Sequence, residues 1–173
     1  MSLRHEANLL GAFAQAVDDR TTEAIVAAAG QAETAATALS ALHHFLERPT
    51  IDLLRQVLGL TQSGTVRLVD RLVEAGYVRR EPGADGRSRA VTLTDEGRSV
   101  AERVSAARAE VLGDALAVLS ADERAELSGM LGRVMATFVR GPGATRWICR
   151  TCDTTACGRD AGECPVANAS GAT

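Results

Sequence analysis

The stretch from Thr61 to Thr94 constrains the fold more than any other part of the chain, because it reads as a helix, a sharp stop and a hairpin. The helix is predicted for residues 61–75, and the threonine at its start can cap the first turn. Its predicted buried stripe consists of Val66, Val69, Leu72 and Val73. Gly76 can end the helix in left-handed geometry, and residues 77–80 and 90–93 are predicted as the strands of the hairpin.

The helical spacing of apolar residues also predicts the remaining secondary structure. Further helices are predicted at residues 3–28, 33–47, 51–58, 95–119 and 121–140. Gly59 and Leu60 form a tight connection between two of them, as in a helix-turn-helix. Ser120 and Glu123 form a capping-box pattern at the start of the last helix. The predicted fold class is therefore mainly α with a small β-hairpin wing, a winged helix-turn-helix.

Positive charge is concentrated in the predicted winged region. Residues 48–93 contain eight arginines and five acidic residues, whereas the whole chain carries a net charge of −3. This distribution indicates a protein that touches DNA with one face. The start of the chain lacks the apolar run of a signal peptide, and no stretch approaches the roughly 20 apolar residues of a membrane span. We therefore expect a cytoplasmic protein with no membrane partner.

The first helix and the last two helices carry more apolar surface than a small winged domain can cover. We therefore expect a homodimer that is sealed by helices from the two ends of the chain. This gives a predicted division into an N-terminal dimerisation helix (1–30), a winged helix-turn-helix DNA-binding domain (31–94), C-terminal dimerisation helices (95–140) and a cysteine-rich tail (141–173).

Several motifs in this order resemble the MarR family of bacterial transcription regulators, over about residues 5–140. The most specific motifs are Arg67–Leu72, Glu74–Val78, Asp85–Arg89 and Leu93–Thr94. The resemblance implies a dimer with a recognition helix in the major groove and a wing arginine in the minor groove. It makes the following residues candidate DNA contacts: Gln62, Ser63, Thr65, Arg67 and Arg71 in the groove, and Arg87 at the wing tip, oriented by Asp85 and Arg89.

The chemistry of arginine agrees with these assignments. A guanidinium presents two parallel donors that match guanine O6 and N7, and a wing arginine gains from the negative potential of a narrow minor groove. A two-fold dimer places its recognition helices about one DNA turn apart, so the expected operator is an inverted repeat, and a repressor is the expected role. A winged-helix protein-interaction module without DNA binding is the alternative of another class. No catalytic constellation is visible, so an enzyme is not expected.

All four cysteines lie near the end of the chain, with the spacing C-x2-C-x4-C-x6-C. In a reducing compartment such a cluster indicates metal or redox chemistry. The predicted metal ligands are Cys149, Cys152, Cys157 and Cys164. Zn²⁺ suits four thiolates, but only one C-x2-C is present and the last cysteine precedes proline, which favours an iron–sulfur cluster. Two labile disulfides or a thiol switch, and the absence of any joint role for the four cysteines, are the remaining alternatives.

Three smaller expectations complete the sequence-based picture. MarR-like relatives bind aromatic carboxylates between the dimerisation helices and the winged domain, so a small-molecule effector with a structural zinc in the tail is an alternative to metal sensing. His43 and His44 are adjacent on a predicted helix and are expected to have ordinary surface or interface roles rather than to share a metal. Residues 166–173 are small and polar and are predicted to be disordered.

Overall fold

The computed structural model describes residues 2–83, 88–141 and 143–171. The helices and strands, in chain order, are α1 (Leu3–Ala29), α2 (Glu33–His44), α3 (Ile51–Leu58), α4 (Gln62–Glu74), β1 (Val78–Pro82), β2 (Arg89–Leu93), α5 (Asp95–Leu116), α6 (Ala121–Ala136), α7 (Ala144–Ile148) and α8 (Pro165–Ala169). This order confirms the predicted mainly helical fold with a two-stranded wing.

Side-chain caps define where several helices begin. The hydroxyl of Thr61 accepts from the Gly64 N–H at the start of α4, at 3.1 Å, and the hydroxyl of Thr94 accepts from the Gly97 N–H at the start of α5, at 3.0 Å. Ser120 and Glu123 form the predicted capping box at the start of α6. These bonds satisfy donors that have no partner within the helix, so local sequence fixes the beginnings of the helices.

The hydrophobic core lies where α2 meets the winged region. Residues 35–42 of α2 are all buried, and α2 packs against α1, α3, α4, α5 and β2. The largest fully buried apolar side chains of this core are Leu39, Leu54, Val57, Leu68, Val69, Leu72, Val91, Val100 and Val104. Helix α4, the predicted recognition helix, thus packs on the rest of the molecule with its inner face, and its outer face is exposed to solvent.

The wing is an antiparallel hairpin in which Val78 pairs with Leu93 and Pro82 pairs with Arg89. Its second strand also contacts the residues just ahead of α3, because the Val91 N–H donates to the carbonyl oxygen of Pro49 at 2.9 Å. The wing is therefore tied to the helix-turn-helix along its base as well as through the chain.

Apolar side chains remain exposed on the helices that were predicted to dimerise. Within the described residues they include Leu9, Leu10 and Phe13 on α1, Met130 and Val134 on α6, and Phe138 just after α6. In α1 the buried residues are Thr21, Ile25 and Ala29, all in its second half. The first half of α1 therefore presents an uncovered apolar face, as expected for a surface that takes a partner.

The tail differs from the prediction. Residues 165–169 form α8, with Val166 and Ala167 buried against α6, so the predicted disorder of this segment is wrong for the residues that the structure describes. Proline at the first position favours the helix start, and packing on α6 stabilises a segment too short to be helical alone. Three predicted helix ends also lie earlier than expected, because α2 ends at His44, α5 at Leu116 and α6 at Ala136. No described helix has the length and apolarity of a membrane span.

Candidate nucleic-acid interface and cysteine centre

The outer face of α4 carries the residues predicted to contact DNA. The side chains of Gln62, Ser63, Arg67 and Arg71 are exposed there. The turn that presents them begins at Gly59, which ends α3 in left-handed geometry (φ 64°). Glycine at this position takes positive φ without the steric cost that a side chain adds. The sequence thus places a sharp turn where two helices must meet at an angle.

Thr65 is a correction to the predicted contact set. Its side chain has 0% exposure, and its hydroxyl donates to the carbonyl oxygen of Thr61 at 3.0 Å. A threonine that satisfies its hydroxyl within its own helix can be buried like an apolar residue. The buried stripe is consequently Thr65, Leu68, Val69 and Leu72, whereas Val73, predicted to be buried, is 38% exposed.

The arginines of this face fall into two groups. Arg80 pairs with Asp70 at 2.5 Å, and Arg79 pairs with Glu81 at 2.7 Å. In contrast, Arg67 and Arg71 make no ion pair with any residue that the structure describes. Two cations on the outer face of α4 are therefore available for a ligand, while the two wing arginines are already neutralised.

One of the predicted wing contacts lies within the described residues. Arg89, at the start of β2, is exposed. Asp85 and Arg87, which were predicted to form the wing tip with it, lie outside the described residues. Their assignment as DNA contacts stays a prediction.

The tail gathers the four cysteines into one small lobe. Cys149 and Cys164 are buried, Cys152 and Cys157 are half-buried, and all four are free thiols. Met135 and Val139 of the α6 region pack against the lobe, together with Ile148. Across residues 2–83, 88–141 and 143–171, no group of three or more His, Cys, Asp or Glu side chains is placed to hold a metal ion. The predicted metal site therefore stays a prediction.

Cys149 and Cys152 act as one thiol–thiolate pair. A hydrogen-bonding interaction with Cys149, assisted by Arg108, Arg159 and Arg150, lowers the pKa of Cys152 to about 6, although burial opposes this shift. The same interaction, with burial, raises the pKa of Cys149 far above its usual range. One of the two sulfurs is thus ionised near neutral pH while the other keeps its proton.

Cys157 and Cys164 form a second pair of the same kind. Burial and the interaction with Cys164 raise the pKa of Cys157 to about 11. Burial also works against ionisation of Cys164, but the backbone N–H groups of Ala167 and Val166 and the Cys157 thiol outweigh it and lower the pKa of Cys164. Each pair thus contains one sulfur with a lowered pKa and one with a raised pKa, so the lobe favours negative charge on Cys152 and Cys164.

Arg159 is the cation that serves both pairs. Its charge favours the thiolate form of all four cysteines. Its Nε and Nη2 atoms are buried and have no hydrogen-bond partner among the described residues. Buried donors without a partner are costly, so this guanidinium fits a site that carries negative charge close to it. Arg108, which lies 41 residues before Cys149, was not predicted to join this site; nothing in the spacing of the tail indicates it.

His44 joins the cysteine lobe to the end of α2. Its Nε2 contacts the hydroxyl of Ser105, and its Nδ1 lies 3.8 Å from a carboxylate oxygen of Asp153. Burial lowers the pKa of His44, with Asp153 opposing and His43 and Arg108 assisting the shift. The histidine is thus part of an interface within the chain, as expected, and it is kept neutral there.

We expect the free energy of unfolding to depend on pH through His44. Burial lowers the pKa of His44 in the folded chain below its ordinary value of 6.5, so the folded state favours the neutral imidazole. The contribution of His44 to the free energy of unfolding is therefore present above pH 6.5 and is lost as the pH falls through the folded pKa. The variant His44→Gln should lose less stability than the wild type between about pH 7 and pH 5. Urea unfolding at a series of pH values measures this difference, and parallel curves for the two proteins would contradict it.

These features define a winged-helix protein with an exposed cationic face on α4 and a lobe that contains the four cysteines. Residues 32–88 match the model of the MarR family. Over 78 residues the chain is 38% identical to the HTH-type transcriptional regulator PecS of Dickeya dadantii, a match that covers 44% of this chain and 47% of PecS. The chain thus spans about half the length of that curated relative.

Solved structures share the fold over a longer stretch. The apo form of MarR from E. coli is 25% identical, with 78% of this chain and 96% of that chain covered and a TM-score of 0.61. Sco3205, a MarR family transcriptional regulator from Streptomyces coelicolor solved in complex with DNA, is 21% identical, with 83% and 92% covered and a TM-score of 0.61. The solved structures confirm the predicted winged-helix fold, and residues 32–88 are similar to the MarR family.

Proposed function

We propose that this protein is a MarR-family transcriptional regulator that binds double-stranded DNA through α4 and the wing. The observation that carries the proposal is the outer face of α4, where Arg67 and Arg71 are exposed and unpaired among the described residues. The family match of residues 32–88 and the DNA complex of Sco3205 support it. Gln62 and Ser63 stand at the N-terminus of the same helix, where side chains of a recognition helix reach base edges.

The proposal includes a homodimer that reads an inverted repeat and represses transcription. The exposed apolar side chains of α1 and α6 support the dimer, because association of two copies would bury this apolar surface. Two reading helices related by a two-fold axis require two half-sites of opposite direction. We expect repression because a dimer bound to the operator excludes other proteins from that stretch of DNA.

The test of DNA binding is its dependence on salt. Each phosphate contact that releases counterions steepens the fall of affinity with salt, so we expect the logarithm of the binding constant to fall linearly with the logarithm of salt concentration. A labelled duplex that this protein enriches from a random-sequence pool serves as the probe. A flat response, or no enriched sequence, would contradict the proposal and would favour a protein-interaction module.

For the tail, we propose that Cys149, Cys152, Cys157 and Cys164 hold an iron–sulfur cluster that makes the regulator responsive to redox state or iron. The donor set supports a metal–thiolate centre, since four free cysteines lie in one lobe and the pKa of Cys152 and that of Cys164 are lowered. The buried Nε and Nη2 atoms of Arg159, which have no hydrogen-bond partner within the described part of the chain, support it as well, because thiolate ligands would neutralise that charge. When bound, the cluster supplies one-electron redox chemistry, and the chain supplies the thiolates and their burial.

An anaerobic absorbance spectrum of the freshly purified protein tests this assignment, with iron and zinc quantified on the same sample. We expect a brown protein with at least about two irons per chain, as the smallest such clusters contain. A colourless protein with one zinc per chain would indicate a structural zinc site in the tail and would favour a small molecule as the effector. Metal-free protein with disulfides would support a thiol switch instead.

A further inference from the structure

We propose that the cysteine lobe controls the DNA-reading helix through Trp147, whose indole ring rests on the turn between α3 and α4. The inference depends on the proposed metal centre and deepens it, because it names the contact by which the state of the four cysteines reaches the DNA-binding face. It assigns a regulatory role to a residue outside both the metal ligands and the DNA contacts.

The contact with the turn is direct. A Cβ atom built on Gly59 would lie 2.7 Å from the Cζ3 atom of Trp147, closer than real Cβ atoms approach other atoms. The indole therefore occupies the space that a side chain on this turn would need. Helix α7, which carries Trp147, also packs against α3. The ring thus lies against the backbone of the turn and is within reach of any shift in it.

The other side of Trp147 is connected to the cysteines. The N–H of Cys149, two residues later, donates to the carbonyl oxygen of Thr145 at 2.9 Å, so the first cysteine is part of the same short helical segment. The guanidinium of Arg150 lies 4.2 Å from the centre of the indole ring, and its Nη1 donates to the carbonyl oxygen of Trp147 at 3.0 Å. Any displacement of Cys149 is therefore transmitted to the ring within one turn of helix.

Two further anchors fix the rest of the lobe. Between the second and third cysteines, the hydroxyl of Thr154 donates to the carbonyl oxygen of His44 at the end of α2, at 2.9 Å. After the last cysteine, Pro165 packs on α6 so closely that a Cβ on Gly132 would lie 3.3 Å from it. The lobe is therefore attached to the winged region on one side and to α6 on the other, with the cysteines between the attachments.

The consequence for DNA binding follows from the short distance along the chain between the turn and α4. Gly59 is followed by Leu60 and then by Thr61, the N-cap of α4. A change in how the indole sits on the turn therefore changes the position of the first residues of α4. Those residues, Gln62 and Ser63, are candidate base contacts, and contacts to base edges carry the sequence specificity that phosphate contacts lack.

Trp147 is the only tryptophan in the chain, so its fluorescence reports this contact without labelling. The full-length protein is stripped of metal by a chelator under anaerobic, reducing conditions and reloaded with Zn²⁺, which has no redox chemistry of its own. We expect the emission spectrum of Trp147 to differ between the stripped and the zinc-loaded protein. An unchanged spectrum, with zinc shown to be bound, would overturn the inference.

DNA affinity provides the second measurement. The affinity of the wild type for the duplex enriched from a random pool should differ between the stripped and zinc-loaded states by roughly 5- to 150-fold, the usual range of coupling between two sites. In Trp147→Ala the difference should shrink to about twofold or less, while the zinc content stays as in the wild type. Trp147→Phe keeps a ring on Gly59 and should retain most of the response.

A matched control removes apolar surface elsewhere. Val118→Ala truncates a side chain that is 84% exposed and should leave the response intact. A full response in Trp147→Ala, or loss of its zinc, would overturn the assigned role. Failure of the proposed function would look different, because it appears in the wild type as absence of zinc binding or of DNA binding. A wild type that binds both but shows equal DNA affinity in both states refutes the coupling alone.

Discussion

Replacing Arg67 and Arg71 together by alanine is expected to weaken binding to the enriched DNA duplex by about 30-fold or more. Both side chains are exposed on the outer face of α4 and form no ion pair within the described part of the chain. A bidentate arginine–guanine contact contributes about 1–3 kcal/mol of discrimination, and two such losses are roughly additive when the positions are well separated. Titration of labelled duplex at fixed salt concentration measures the effect.

The double variant Arg79→Ala/Arg80→Ala is the matched control, because it removes the same formal charge from the neighbouring strand. These arginines are already paired with Glu81 and Asp70. We expect a much smaller loss of affinity and little change in sequence preference. If both double variants lose affinity equally, the effect is one of overall charge, and α4 does not read the DNA sequence.

The variant Gly97→Ala is expected to destabilise the fold by about 3 kcal/mol. A Cβ on Gly97 would lie 1.8 Å from the carbonyl oxygen of Tyr77, which is backbone and cannot rotate away. That carbonyl also accepts from the Thr94 N–H at 3.0 Å, so relieving the clash disturbs the junction of the wing with α5. For a chain of this size the change corresponds to a fall of roughly 6–12 °C in the unfolding midpoint.

Thermal unfolding followed by circular dichroism measures this shift, with Gly113→Ala as the matched control. Gly113 lies in the same helix, and a Cβ there would meet nothing within 4 Å. Alanine is the better helix former, so this variant should be up to about 1 kcal/mol more stable than the wild type. A Gly97→Ala protein as stable as the wild type would mean that α5 and the wing do not meet as closely as the structure shows.

Local chemistry made most of the fold predictable from the sequence. The caps at Thr61 and Thr94 and the capping box at Ser120 depend on residues within three or four positions, and the structure contains all of them. The inner face of α4 was harder to predict. Thr65 is a polar residue type, but its hydroxyl donates to a carbonyl oxygen of its own helix, so the side chain can be buried. The buried face of α4 is therefore rotated relative to the predicted one.

The tail was the least predictable part, because its structure depends on distant residues. Helix α8 has five residues, too few to be stable alone, and it forms because α6 covers it. The electrostatic role of Arg108 and the contact between Trp147 and Gly59 likewise join parts of the chain that the spacing of cysteines cannot relate. The cysteine spacing predicts metal or redox chemistry for the tail, whereas only the fold shows what the tail touches.

The bond between Val91 and Pro49 has a consequence for how the protein leaves DNA. Because β2 is hydrogen-bonded to the residues ahead of α3, the wing base is attached to the helix-turn-helix that includes α4. In the proposed mode of DNA binding, a displacement of these elements together removes the major-groove and minor-groove contacts at the same time. We therefore expect each half-site to be released in a single step, with a footprint that shrinks by whole half-sites rather than fading from the wing inwards.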